Sequence, residues 1–203
     1  MTRKEEGRVR LFVAVNLPSE IREEMWTAAR RLREAGFPVR WVKAAQLHLT
    51  LRFLGEVREA ERSKLEPALE ETVCGRRRFS VRLGGVGAFP SPRCPRVVWV
   101  GVRGPPDLGE LQRAVDARVR ELGLPSEPRA FHPHVTLGRA RRSAERSAFD
   151  AFETVAPTVG YAADFEVKSV EMMRSELGRA GARHSVLSSF RLRDPAEKVP
   201  GKR

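Results

Sequence analysis

Two histidine–threonine pairs carry the chemistry that this sequence offers. His48-Leu49-Thr50-Leu51 and His134-Val135-Thr136-Leu137 each set an imidazole and a hydroxyl two residues apart. In a β-strand, residues i and i+2 point to one face. His48 and Thr50 then share a face, as do His134 and Thr136, while Leu49, Leu51, Val135 and Leu137 turn toward a core. An imidazole titrates near pH ~6.5, so one ring can take a proton while the other gives one. A threonine hydroxyl can donate to a phosphoryl oxygen. Such a set suits in-line displacement at phosphorus, with a base on the entering oxygen and an acid on the leaving one. No carboxylate and no metal is required.

The remaining candidates follow from the same spacing. Arg52 is in phase with His48 and Thr50 in a regular strand and can reach an anion bound there. His132 shares a face with His134, and His-x-His can begin a metal site. No third ligand follows nearby, so a place behind His134 or at the edge of a substrate is expected for it. His184 stands in no motif and reads as structural.

The elements that must position these groups repeat. "RLFVAVNLP" (10–18) reads as a buried strand, 18–36 as a helix capped by Ser19, and "LHLTLRFLG" as a strand closed by Gly55. A second helix is expected over 59–73, with Pro67 against it, then a glycine-bent strand over 79–89. The order recurs: a strand at 96–102, a helix at 106–123 with a stripe of Leu108, Leu111, Val115, Val119 and Leu122, the strand "HPHVTLGR", a helix at 143–155 and a strand at 165–177. A last strand is expected at 184–192. His134 lies 86 residues after His48, and the same shift sets "VVWVG" over "LFVAV" and "FEVKS" over "FSVRL". The offset predicts a duplication with units of about 10–90 and 96–177 inside a single domain of 8–193, with loose tails at 1–7 and 194–203. If the units are related by a pseudo-two-fold axis, their polar faces can meet across a cleft.

Composition narrows the partners. Of the 38 basic residues 32 are arginine, and the net charge is +12. That balance suits a polyanion, since guanidinium forks match phosphate geometry. Cys74 and Cys94 form no CxxC pair and read as reduced thiols of an intracellular protein. No apolar run approaches the ~18 residues of a membrane span, and there is no GxxxxGK[ST] loop for a nucleotide triphosphate. A soluble, cytoplasmic protein without a cofactor is expected.

The two HxTL units, together with "RLFVAVNLP", "HLTLRFLG", "GAFPSPRCPRVVWVGV" and "HPHVTLGR", resemble the two-histidine phosphoesterase superfamily, and within it the RNA 2′,3′-cyclic phosphodiesterases, or 2′-5′ RNA ligase family. The likeness spans about residues 8 to 193. It implies an α+β fold of two pseudo-symmetric lobes of antiparallel sheet with outer helices, facing each other around a central cleft. It also implies that His48 is the proton donor and His134 the proton acceptor, and that Thr50 and Thr136 bind the phosphate with help from Arg139. Arg139 is out of phase in a regular strand and needs a bulge, for which Gly138 is suited. The implied reaction is metal-free hydrolysis of 2′,3′-cyclic phosphate ends of RNA to 2′-phosphomonoesters. With a 5′-hydroxyl in place of water, the same groups would join RNA ends 2′-5′ without ATP. A monomer acting on RNA ends, tRNA fragments among them, is expected. Small cyclic nucleotides, 2′-5′ oligonucleotides, or end-binding without turnover are the alternatives. One stretch departs from the family: its Gly-Pro-x-Tyr pattern reads Gly181-Ala182-Arg183-His184 here.

Overall fold

The computed structural model describes residues 7–178 and 181–194. Apart from Gly7 and Asp194, the expected tails lie outside those residues. Nine strands form one sheet: β1 (Arg8–Asn16), β2 (Val39–Trp41), β3 (His48–Arg58), β4 (Phe79–Ser91), β5 (Cys94–Arg103), β6 (His134–Ala140), β7 (Ala162–Val167), β8 (Ser169–Gly178) and β9 (Gly181–Arg191). Their order is β7-β4-β5-β6-β3-β1-β8-β9, with β2 added on β6. All pairings between these strands are antiparallel.

The sheet has a seam. β3 and β6 are joined only through Leu49 and Val135, whereas β1 and β3 run paired from Arg8 and Arg58 to Asn16 and His48. On either side of the seam lie two lobes, β3-β1-β8-β9 and β6-β5-β4-β7. Each lobe takes a strand from the far part of the chain. β4 follows β3 in sequence but pairs with β5 and β7, and β8 follows β7 but pairs with β1. The result is the expected α+β arrangement, two pseudo-symmetric antiparallel lobes with helices on one side.

Helices α3 (Glu59–Cys74) and α4 (Pro106–Glu121) pack on each other and on the sheet. Leu65, Leu69 and Val73 of α3 join Leu111, Val115 and Val119 of α4 in one core with Leu49, Leu51, Val135 and Leu137. The inward residues of both histidine strands therefore anchor both lobes to a single apolar cluster. Helix α3 starts cleanly because the Glu61 carboxylate accepts the Arg58 backbone N–H at 2.9 Å. It runs through Pro67, since its buried face outweighs one lost helical hydrogen bond.

Four expectations change. The helix over 18–36 is two pieces, α1 (Ser19–Ala28) and α2 (Arg30–Glu34), and its cap is extended Pro18 rather than Ser19. The stretch 143–155 forms only a 3₁₀ turn at Ser147–Phe149 and a single turn, α5 (Phe152–Val155), with another 3₁₀ turn following at Ala156–Val159. Phe149 and Phe152 are buried against Phe37, so packing rather than helical propensity holds it. The strand at 165–177 is two, β7 and β8, because Lys168 is the crossover from one lobe to the other. β2 was not foreseen; its three residues are too few to show a period.

Candidate active site

The seam fixes the geometry of the two motifs. With Leu49 opposite Val135, antiparallel register sets His48 across from Thr136 and Thr50 across from His134. Opposed residues share a face, so all four side chains lie on the face away from the core, with the histidines on one diagonal and the threonines on the other. Diagonal positions of a regular pair are roughly 7–8 Å apart. His48, Thr50, His134 and Thr136 are all half-buried, while the alternate Leu49, Leu51, Val135 and Leu137 are at most 3% exposed.

Both rings are held from behind by the same device. His48 Nδ1 lies 2.8 Å from the Gln46 carbonyl oxygen and His134 Nδ1 lies 2.6 Å from the His132 carbonyl oxygen. A carbonyl only accepts, so each Nδ1 carries a proton and each Nε2 is left for chemistry. Aromatic rings flank them. Phe12 is 4.9 Å from His48, and Phe89 is 5.1 Å edge-on to His134 beside Trp99. Gly87 makes room for that floor: a Cβ there would lie 2.3 Å from the Trp99 ring.

Burial pushes the His48 imidazole down to about 4, with the neighbouring His184 and Arg139 adding to the shift and the Gln46 hydrogen bond opposing it. His134 is lowered too, by burial first and then by Arg139 and His132. Burial thus disfavours the imidazolium that an acid catalyst needs. A bound phosphodiester anion supplies the opposite charge.

The two arginines part company at a bulge. Val13 pairs with Arg52 and Ala14 with Thr50, which leaves Leu51 as an extra residue. Val98 pairs with Gly138 and Trp99 with Thr136, which leaves Leu137 extra in the same way. The bulge expected for Arg139 is therefore present, one residue before Gly138. Gly138 is required for another reason: β2 crosses so closely that a Cβ would lie 2.5 Å from Val39 Cγ1. Past the bulge, Arg139 returns to the histidine face, and its charge bears on His48, His134 and His184 alike.

The same bulge overturns the reading of Arg52 as a phosphate ligand. It turns Arg52 into the protein, 4% exposed, where Nε meets the Asp116 carboxylate at 2.6 Å and the guanidinium donates to the Phe53 and Pro125 carbonyls. Phe53 takes the outward position instead, 44% exposed and 6.1 Å from Phe12.

His184 also differs from expectation. From β9 its ring meets His48 edge-on at 5.2 Å and Phe12 at 5.0 Å. No local motif marked it; the signal was its place in the Gly181–His184 stretch where the family pattern ends in tyrosine. His132 lies beside Phe89 at 6.0 Å. Among the described residues no group of three or more His, Cys, Asp or Glu is placed to hold a metal ion.

A profile of the 2′-5′ RNA ligase superfamily matches residues 17–179. The chain belongs to that superfamily. It is 34% identical over 190 residues to an RNA 2′,3′-cyclic phosphodiesterase of Methanothermobacter thermautotrophicus, across 91% of this chain and all of the relative. It is 36% identical over 190 residues to the Escherichia coli enzyme of the same name, covering 90% and 96%. Among solved structures, a Thermus thermophilus protein superposes with a TM-score of 0.76 at 30% identity, over 92% of this chain and 99% of that one. Escherichia coli LigT complexed with 3′-AMP superposes at 0.72 with 29% identity, over 91% and 98%.

Proposed function

We propose that this superfamily member hydrolyses 2′,3′-cyclic phosphate ends of RNA to 2′-phosphomonoesters, without a metal. The observation that carries the reading is the Leu49–Val135 pairing at the β3–β6 seam, which brings the two His-x-Thr faces together. Water attacks phosphorus and gives its proton to His134 Nε2. The bond from phosphorus to O3′ breaks, and His48 Nε2 protonates the departing oxygen. Base and acid at opposite corners suit the in-line path of entering and leaving oxygens. Thr50, Thr136 and Arg139 hold the non-bridging oxygens, whose charge the arginine offsets. With a 5′-hydroxyl as nucleophile, the strain energy of the cyclic ester drives 2′-5′ joining instead.

Exposed Phe53 supports a nucleic-acid end over a bare phosphate, since bases stack on aromatic faces. The basic surplus of the chain supports RNA, tRNA fragments among the substrates. All four central groups come from one chain, which supports a monomer. No helix of the described residues is long and apolar enough to cross a membrane; we place the activity in the cytoplasm, where such RNA ends arise.

The test is to incubate the protein with an oligonucleotide ending in a 2′,3′-cyclic phosphate, in excess chelator, and to map the oxygen that keeps the phosphate. A 2′-phosphate formed at the uninhibited rate is expected. A 3′-phosphate would overturn the assignment of leaving group. Activity that vanishes with chelator and returns with a divalent cation would overturn the metal-free mechanism. Faster turnover of a cyclic mononucleotide than of the oligomer would move the substrate to small nucleotides.

A further inference from the structure

Gln46 is attached to the site at both of its ends. Its main-chain carbonyl accepts the His48 Nδ1 proton at 2.8 Å. Its side-chain amide reaches across to β9 and bonds both main-chain groups of one residue. The Gln46 Oε1 accepts the His184 backbone N–H at 2.7 Å, and Gln46 Nε2 donates to the His184 carbonyl at 3.5 Å. The amide thus imitates one rung of a β-ladder between segments 138 residues apart in sequence. The same docking sets the His184 ring edge-on to His48 and Phe12.

The local chain holds Gln46 by a single turn. It ends a one-turn 3₁₀ helix, Ala44–Gln46, fixed by bonds from Gln46 N–H to the Lys43 carbonyl and from Leu47 N–H to the Ala44 carbonyl. The Leu47 N–H lies in the same peptide plane as the Gln46 carbonyl, so that one bond aims the carbonyl, and the amide's hold on β9 is a second tether on the same turn. The carbonyl in turn decides which nitrogen of His48 carries the proton when the ring is neutral. A ring held by Nδ1–H presents Nε2 to the leaving oxygen; a ring freed from it rotates and exchanges tautomers.

We propose that Gln46 is a positioning residue for His48, and that it works by clamping β9: the side-chain amide fixes the main chain whose carbonyl orients the acid catalyst. The inference rests on the reading of His48 as the proton donor. It assigns Gln46 no contact with substrate, and it assigns the clamp to the His184 main chain rather than to its imidazole.

The test uses Gln46→Ala, Gln46→Glu and His184→Phe in the full chain. ¹⁵N chemical shifts of the imidazoles report tautomers, and rates are read on a 2′,3′-cyclic ribose phosphate and on an aryl phosphodiester. Gln46→Ala is expected to mix the His48 tautomers while His134 stays as it is. It should lower kcat on the ribose substrate by on the order of 10-fold to 10²-fold, the scale of a small misplacement of a catalytic group, with little change in KM. The aryl substrate should lose far less, because its leaving group needs no proton. Gln46→Glu keeps the acceptor for the His184 N–H and loses the donor, so it should fall between. His184→Phe leaves the clamp intact and should retain the His48 tautomer. Unchanged His48 shifts in Gln46→Ala, or equal losses on both substrates, would overturn the proposal and leave Gln46 a support of the sheet. The reading of His48 fails separately, if His48→Ala itself shows no selective loss on the poor leaving group.

Discussion

In the β5 lobe the carbonyl that holds the imidazole is that of His132, and the next residue is Pro133, whose own carbonyl accepts the Val102 N–H at 3.1 Å. In the β1 lobe the corresponding carbonyl belongs to Gln46, whose side-chain amide is tied to β9, the last strand of the sheet in sequence. One lobe braces its histidine holder with a proline and a main-chain bond to β5; the other braces it with a turn and a side-chain bond to β9. The outward position past each bulge differs as well, Arg139 in one lobe and Phe53 in the other. A scaffold of two pseudo-symmetric lobes, each with one histidine and one threonine at the seam, thus has asymmetric surroundings. The Arg139 charge lies on the β5 side and the exposed Phe53 ring on the β1 side, so the two sides offer a ligand different chemistry.

The largest effects should come from the histidines and should separate their roles. His48→Ala is expected to cost on the order of 10²–10⁴ in rate on a cyclic ribose phosphate, and much less on an aryl phosphodiester. His134→Ala should cost similarly on both, since water needs activation in either case. Rescue of His134→Ala by the good leaving group would reverse the assignment while keeping the two-histidine chemistry.

Next in size is the charge that only one lobe carries. Arg139→Phe should lower kcat on the order of 10²-fold, as when one group facing a developing oxyanion is removed. Adding Phe53→Arg to that variant tests the symmetry directly. If the lobes are equivalent at this position, steady-state rates recover in part; no recovery would show that the charge works from one side only.

Arg52 should behave in the opposite way. Arg52→Met is expected to leave kcat within about twofold while destabilising the fold by about 1–3 kcal/mol, the cost of a partly buried Asp116 without its partner. A large kcat loss with unchanged thermal stability would return Arg52 to the site.

The two smallest predictions are in pH. Burial lowers both imidazoles, His48 to about 4. The kcat/KM profile reports the free enzyme, so its maximum should fall below pH ~6.5. The kcat profile should lie at higher pH, because bound phosphate favours the imidazolium. A kcat/KM maximum well above that value would contradict the burial argument. Stability follows with its own sign. Between pH ~6.5 and about 4 the unfolded chain binds a proton at His48 that the folded one resists, so folding is weakened as pH falls through that window. His48→Gln should flatten the loss of Tm there, measured by calorimetry.

The sequence made the motif strands legible because their signal is local and doubled: HxTL twice, each with apolar alternates, at a constant offset. It made Arg139 legible only through the likeness to a family, since the bulge that turns it outward has no composition of its own. Arg52 shows the cost. Gly138 hints at a bulge in one strand, whereas in its counterpart Leu51 gives no sign of the one it forms. His184 and Gln46 could not be paired, because a side-chain amide mimicking a ladder rung leaves no period in the sequence. Helical propensity points to a helix over 143–155, and the packing of Phe149 and Phe152 on Phe37 overrides it.

The crossed strands also set an order of events during synthesis. β1 and β3 leave the ribosome early, yet the outer neighbour of β1 is β8, at Ser169–Gly178. β4 emerges before β5 and β7, the strands it pairs with. Once Ser91 has emerged, the nascent chain holds β1 and β3 as a pair, with β2 and β4 unpartnered, too little sheet to stand alone in water. Neither lobe can close until most of the chain is outside the tunnel, so the protein folds late and as one unit rather than half by half.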